Sequence, residues 1–275
     1  MKQSGRRIFV AGLCGIIGVG KTSALKRFKR TGFLQDAVDD AFARLGEPAP
    51  LVLLAFEPVK EWRANGWLKT YYDNQDDEAA WFQLTVFDSH VRHIQRIIQE
   101  APPDRDLLLV QERTMYDQRL FWELQVQSGF RTADAHWDTL YKAIWTRWNL
   151  FVPEPQVLFF FQTDDVQTTM QRIRKRARAE EMGASLSETD LSVSTPGTET
   201  VNEAGGVKLD YQLRLLALHD AWFSPPLAKP PGAPEQGIPC VPINADAPFH
   251  EDDECLAMLS RQVAETVVEH WVAVN

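Results

Sequence analysis

Cysteine is scarce: three residues, Cys14, Cys240 and Cys255, occur in 275, none in C-x-x-C spacing. That odd count offers neither a disulfide framework nor a zinc site and suits a reducing compartment, with structural thiols the simplest reading. No apolar run approaches the length of a membrane span, and the basic start (Lys2, Arg6, Arg7) runs into an apolar segment, leaving no room for a signal or transit peptide. A soluble, cytoplasmic protein is therefore expected. Positive charge is also short, with 29 basic residues against 38 acidic and a formal charge of −9. This argues against a broad nucleic-acid or anionic-membrane surface and requires any cationic site to be local. No internal repeat is evident, and the length is met by one large α/β domain spanning residues 1–275.

What is present begins with Gly15-Ile16-Ile17-Gly18-Val19-Gly20-Lys21-Thr22, which fills the G-x-x-x-x-G-K-[ST] pattern. Glycines let such a loop turn its N–H groups around phosphate oxygens; Lys21 can reach the β- and γ-phosphates and the Thr22 hydroxyl can ligate Mg²⁺. The apolar run Ile8 to Leu13 reads as the strand leading in, and Ser23 to Arg30 as a helix whose positive end faces the phosphates. Four more β-rich runs follow, Leu51 to Phe56, Leu107 to Val110, Val157 to Phe161 and Pro239 to Ile243. They alternate with helix-period segments at Trp81 to Gln99, Asp117 to Val126, His136 to Trp148 and Val166 to Ala179. The pattern predicts an α/β fold of P-loop type, with a five-stranded parallel sheet flanked by helices. Met182 to Val207, mostly Ser, Thr, Gly, Glu and Asp, reads as a mobile surface insertion, and Pro225 to Pro239, with six prolines, as an extended connector.

Ligands of such sheets sit at the carboxyl ends of the strands. Glu57 follows the second strand and Glu112-Arg113 ends the third, which places a proton acceptor, an acid near the metal and a guanidinium near the phosphoryl group at one edge. Solvated strand-end charge is the competing reading. Arg172 to Arg178 holds five cations in seven residues, on a helix with Arg172 and Arg176 sharing one face and Arg174 and Arg178 another. This is either an anion-binding, arginine-rich lid or a basic face balanced by Glu180 and Glu181. Trp62, Tyr72, Phe82, Gln83 and Trp122 can supply a flat aromatic slot with one amide to read a base edge.

Glu57-Pro58-Val59 with Trp62, Phe82-Gln83, Glu112-Arg113-Thr114, the arginine-rich segment through Glu181, Leu209-Asp210-Tyr211 and Leu218-His219-Asp220-Ala221-Trp222 follow in an order that resembles the deoxynucleoside kinases. These include the deoxycytidine, deoxyguanosine and mitochondrial thymidine kinases and the insect multisubstrate enzyme, and the resemblance spans nearly the whole chain. It implies Glu57 as general base for the sugar 5′-hydroxyl, Arg113 as its partner, and Lys21 on the phosphates. Thr22 and Glu112 become the Mg²⁺ residues, and Arg172, Arg176 and Arg178 the lid arginines. Tyr72 and Glu181 become the pair on the 3′-hydroxyl, Gln83 the base-reading amide and Trp122 the ring stacked on the base.

Departures from the family pattern bear on base preference. Gln118 stands where relatives accepting purines and cytosine carry Asp and pyrimidine-preferring ones Ala; His90 stands where they carry Arg or Met. Cys14 replaces a common Glu and Thr114 a Ser. The resemblance implies ATP as phosphate donor, a deoxynucleoside acceptor and a homodimer built on helices. Base preference cannot be copied from either branch, and thymidine or another pyrimidine is expected first because Gln118 lacks the carboxylate that goes with purine acceptance while Gln83 can pair with a pyrimidine edge. Two alternatives stay open: a nucleoside monophosphate kinase of thymidylate type, which Glu57 disfavours, and a non-catalytic nucleotide-binding subunit of the same fold.

Overall fold

In the computed structural model the described residues are 5–130, 134–176 and 207–273. The proposed insertion at 182–207 therefore lies outside them, apart from Val207, as does the end of the arginine-rich segment with Arg178 and Glu181.

Strand β1 (Ile8–Cys14) leads through the glycine loop into α1 (Lys21–Thr31) and α2 (Phe33–Leu45). Next come β2 (Leu51–Ala55), α3 (Val59–Ala64), α4 (Trp67–Asp73), the long α5 (Gln75–Glu100) and β3 (Leu107–Glu112). Helices α6 (Met115–Gln127) and α7 (Ala135–Trp148) precede β4 (Val157–Gln162) and α8 (Val166–Arg176). After α9 (Leu209–Trp222), β5 (Leu227–Ala228), β6 (Ile238–Asn244) and α10 (Asp253–Ala273) end the fold. The strands run in the order β2-β3-β1-β4-β6-β5, all pairs parallel except β5 with β6.

The five expected strands are present, and a sixth lies inside the proline-rich connector. β5 pairs antiparallel with β6 through Leu227 and Ala228, so this segment folds back onto the sheet instead of extending away from it. Two residues are too few to carry a period-two pattern, which is why the strand is silent in the sequence. β6 tolerates Pro242 because β5 pairs only as far as Pro239, and the ladder beyond has no strand on that side.

Strands β3 and β4 are apolar on both faces because helices cover both sides of a parallel sheet. On one face Trp271 of α10 packs against Phe9 and Phe42, with ring centroids 5.6 and 5.2 Å apart. On the other, Trp122, Tyr141 and Phe87 join α6, α7 and α5. The register then positions the chemistry: Leu13 of β1 pairs with Glu112 of β3, and Ala55 of β2 with Gln111. The glycine loop, Glu57 and Glu112-Arg113 thus leave the sheet at one edge. Among the described residues no helix is long and apolar enough to cross a membrane.

Candidate active site

The loop between β1 and α1 closes tightly because its glycines take backbone angles other residues avoid. Gly15 and Gly18 have φ of 135° and 80°, and a Cβ on either would come within 2.7 Å of the Phe161 carbonyl oxygen or 2.8 Å of that of Thr169. Lys21, the first residue of α1, is buried and donates from Nζ to the carbonyls of Gly15 (2.7 Å) and Ile16 (2.9 Å). Burial, then the neighbouring Arg113, lowers its pKa from 10.5 to about 7. An ammonium so held lacks a strong anionic partner, which a phosphate chain would supply. From α9, Gln212 donates to the Ile17 carbonyl (2.7 Å), fixing the far side of the loop.

At the sheet edge the Thr22 hydroxyl donates to Glu112 Oε1. A hydroxyl and a carboxylate beside a phosphate loop are the hard oxygen donors Mg²⁺ takes, two protein ligands being enough where phosphates and water complete the shell. Among the described residues no cluster of three His, Cys, Asp or Glu offers a fuller cage. The Thr22–Glu112 pair therefore fits Mg²⁺ held jointly with a nucleotide.

Arg113 follows β3 at a φ of 63°, the one non-glycine residue at positive φ among the described residues. Strained backbone of this kind persists where its surroundings hold it. Its buried guanidinium meets Glu57 Oε1 from Nε at 3.0 Å and the Gly15 carbonyl from Nη1 at 3.2 Å, and lies 4.5 Å from the centre of the Phe121 ring. Burial raises the pKa of Glu57, although Arg113 opposes it. Glu57 is thus a carboxylate of raised basicity, oriented by a guanidinium.

These groups line one cleft of about 460 Å³. Its phosphate end is formed by Gly18, Gly20, Lys21, Thr22, Lys26, Arg172 and Lys175, its middle by Glu57, Glu112 and Arg113, and its other end by Trp62, Tyr72, Phe82, Gln83, Gln118 and Phe121. The aromatic walls are fixed in place. Phe82 stacks on Tyr71 with centroids 4.5 Å apart, and the Trp62 indole donates to Ser89 Oγ at 2.8 Å. Arg172 is tied to the Ala245 carbonyl at 3.3 Å, at the mouth of the phosphate end. Arg174 is exposed and does not line the cleft, and the Arg176 side chain is outside the described residues.

Two expected nucleoside contacts are not brought into the cleft. Trp122 is buried in the core, stacked on Tyr141 at 3.9 Å with its indole N–H donating to Asp138, and the neighbouring Phe121 takes the cleft wall. One residue along a helix turns the side chain by about 100°, so only one of the pair can face the ligand. His90 is also buried behind the wall, where burial lowers its pKa to about 4. Sequence reasoning missed Tyr71, Phe121 and the role of Asp117. A signal existed for the last: Thr114 caps α6 and Asp117 completes the capping box, the T-x-x-D spelling of a helix start.

A family model for deoxynucleoside kinases matches residues 12–188, well over half of the chain and every cleft-lining residue named above. No individual curated protein matches the chain.

Proposed function

The chain belongs to the deoxynucleoside kinase family, and from that premise we propose that it transfers the γ-phosphoryl group of Mg-ATP to the 5′-hydroxyl of a deoxynucleoside, a pyrimidine such as thymidine being preferred. The observation that carries this reading is the Glu57–Arg113 pair, 3.0 Å apart, standing between a phosphate loop and an aromatic slot. A sugar bound with its base in the slot presents its 5′-hydroxyl to Glu57, which takes the proton as the oxygen attacks. Arg113 keeps that carboxylate in place and offers its remaining N–H groups to the phosphoryl oxygens. Lys21 and Arg172 neutralise the phosphate chain from the other side, the main task in a reaction governed by alignment and charge. Thr22 and Glu112 would hold Mg²⁺, which when bound withdraws charge from the phosphate oxygens.

The pyrimidine preference draws on Gln83 and Gln118. Both are buried in the slot, and Gln83 Oε1 and Gln118 Nε2 have no hydrogen-bond partner among the described residues. An acceptor and a donor left over in an apolar slot suit a ring edge carrying one of each, as thymine does. A monophosphate kinase would need free cations at the acceptor end, where this cleft places Glu57 and an arginine already committed to it. The one-domain organisation is part of the proposal, supported by a core that runs continuously from Phe9 to Trp271; the homodimer is proposed from the family resemblance alone.

The test is phosphorylation of the four deoxynucleosides with labelled ATP by the wild type and Glu57→Gln. The expected result is a kcat lowered by about 10²-fold or more in the variant, with nucleoside KM within a few-fold. Near-normal kcat would remove Glu57 from the mechanism; deoxyadenosine or deoxyguanosine as best substrate would overturn the base preference.

A further inference from the structure

Arg113 is flanked by a second carboxylate on the side away from the cleft. Asp117 of α6 is fully buried, and its Oδ2 accepts from the Thr114 backbone N–H (2.7 Å), the Thr114 hydroxyl (3.0 Å) and the Cys14 thiol (3.4 Å). These contacts leave Oδ1 facing Arg113 Nη1 at 3.8 Å and His219 Nε2 at 3.7 Å, with no hydrogen bond of its own. His219, on α9, is equally buried. Its Nδ1 lies 2.8 Å from the Leu215 carbonyl, which can only accept, so Nδ1 carries a proton. Nε2 and Oδ1 are therefore two buried polar atoms that face each other and have no hydrogen bond among the described residues. Buried polar groups of this kind are costly when left alone, and His219 Nε2 and Arg113 Nη1 are the polar atoms nearest to Oδ1. Burial lowers the pKa of His219, and the facing Asp117 works against that shift.

We propose that His219 and Asp117 are positioning residues for Arg113, a brace from α9 through α6 that holds the guanidinium with its Nε–H on Glu57. Glu57 and Asp117 bracket Arg113 from opposite sides. Without the inner carboxylate, the guanidinium keeps Glu57, the Gly15 carbonyl and the Phe121 ring but loses its contact on the Asp117 side, and the strained turn at Arg113 loses one of its supports. His219 contributes by packing its ring edge against Oδ1 and so keeping it in place. The kinetic consequence rests on the phosphoryl-transfer reading above, whereas the effect on Arg113 does not.

The experiment uses Asp117→Asn, which keeps the shape and the Thr114 contacts but turns an amide or a neutral oxygen towards Arg113. It is paired with His219→Phe, which keeps the ring packed on Phe160 (centroids 6.1 Å) and deletes Nε2, and His219→Gln, which returns a donor. Solvent exchange of the Arg113 Nε–H, followed by NMR of arginine-labelled protein, should quicken about 10-fold or more in the first two and recover in His219→Gln, since the hydrogen bond is then no longer held. In phosphorylation assays the same two variants should lose about 10-fold in kcat with nucleoside KM within about 3-fold, and the double variant should be no worse than the poorer single one. Folded Asp117→Asn and His219→Phe proteins with unchanged Arg113 exchange would overturn the brace, whatever their melting temperatures. A wild type inactive on every deoxynucleoside would remove the phosphoryl-transfer reading and leave the exchange result to decide the brace.

Discussion

Replacing Lys21 with Met should make the free protein more stable while abolishing phosphoryl transfer. Lys21 is a buried ammonium whose pKa falls from 10.5 to about 7, burial being the largest cause and Arg113 the next. At about 1.4 kcal/mol per unit, keeping it charged costs the folded protein up to about 5 kcal/mol relative to the unfolded chain. Losing its two hydrogen bonds, to Gly15 and Ile16, returns about 1 kcal/mol each, which leaves the Lys21→Met variant ahead by about 3 kcal/mol at pH 7. The sign with pH follows from a folded pKa below the unfolded one. The contribution is complete above 10.5 and is lost as pH falls towards 7, so wild-type stability should climb between those values by about 1.4 kcal/mol per pH unit, a climb the variant lacks. Urea unfolding of both proteins at pH 7, 8 and 9 measures this, and the difference between them cancels other titrating groups. The advantage of the variant should shrink with each step and vanish near pH 9. A less stable variant at pH 7, or a difference independent of pH, would refute the idea that Lys21 sits without an adequate counter-charge. Added Mg-ATP should raise the wild-type midpoint and leave the variant's unmoved, since ligand stabilisation needs binding to the folded state.

Arg172→Ala should lower kcat more than it raises nucleoside KM, because Arg172 lies at the phosphate end of the cleft, away from the slot; unchanged ATP-dependent turnover would reduce it to a scaffold residue. Gln118→Asp should gain activity on deoxycytidine or purines relative to thymidine, and an unaltered ranking of the four deoxynucleosides would detach Gln118 from base selection. Trp122→Phe should destabilise the protein by about 1–3 kcal/mol through the lost Asp138 hydrogen bond and core volume, with kcat/KM within about 2-fold. A large kinetic effect without destabilisation would return Trp122 to the binding slot.

The parts of the site legible in the sequence are those whose function is spelled by neighbours in the chain. Gly15 to Thr22 combines special backbone, cation and hydroxyl in eight residues, and the apolar runs before Glu57 and Glu112 mark them as strand ends, so parallel register brings them to one edge. Where position depends on rotation about a helix axis, the pattern is weaker. α6 is buried nearly all round, so no polar stripe says whether Phe121 or Trp122 faces inward. His90 shares the helix α5 with Gln83, yet is packed behind the wall that Gln83 lines. Contacts distant in sequence are illegible: Asp117 reads as a capping residue, while its partners Cys14 and His219 arrive from β1 and α9.

Charge along the cleft explains how a protein of formal charge −9 can handle polyanions. Lys21, Lys26, Arg172 and Lys175 gather at one end beside Glu251, while Trp62, Leu68, Phe82 and Val86 make the other end apolar. A molecule with a phosphate chain fits the first end and is repelled by Glu57 and Glu112 if it slides towards the second. A flat uncharged ring fits the second and finds nothing at the first. On the proposed reading the two ligands would meet in one orientation, with the end of the phosphate chain and the sugar hydroxyl on either side of Glu57. The same arrangement disfavours a phosphorylated acceptor, whose charge would have to lie against the carboxylates. On the proposed reading Glu57 would select against a charged acceptor through the same carboxylate that takes the hydroxyl proton.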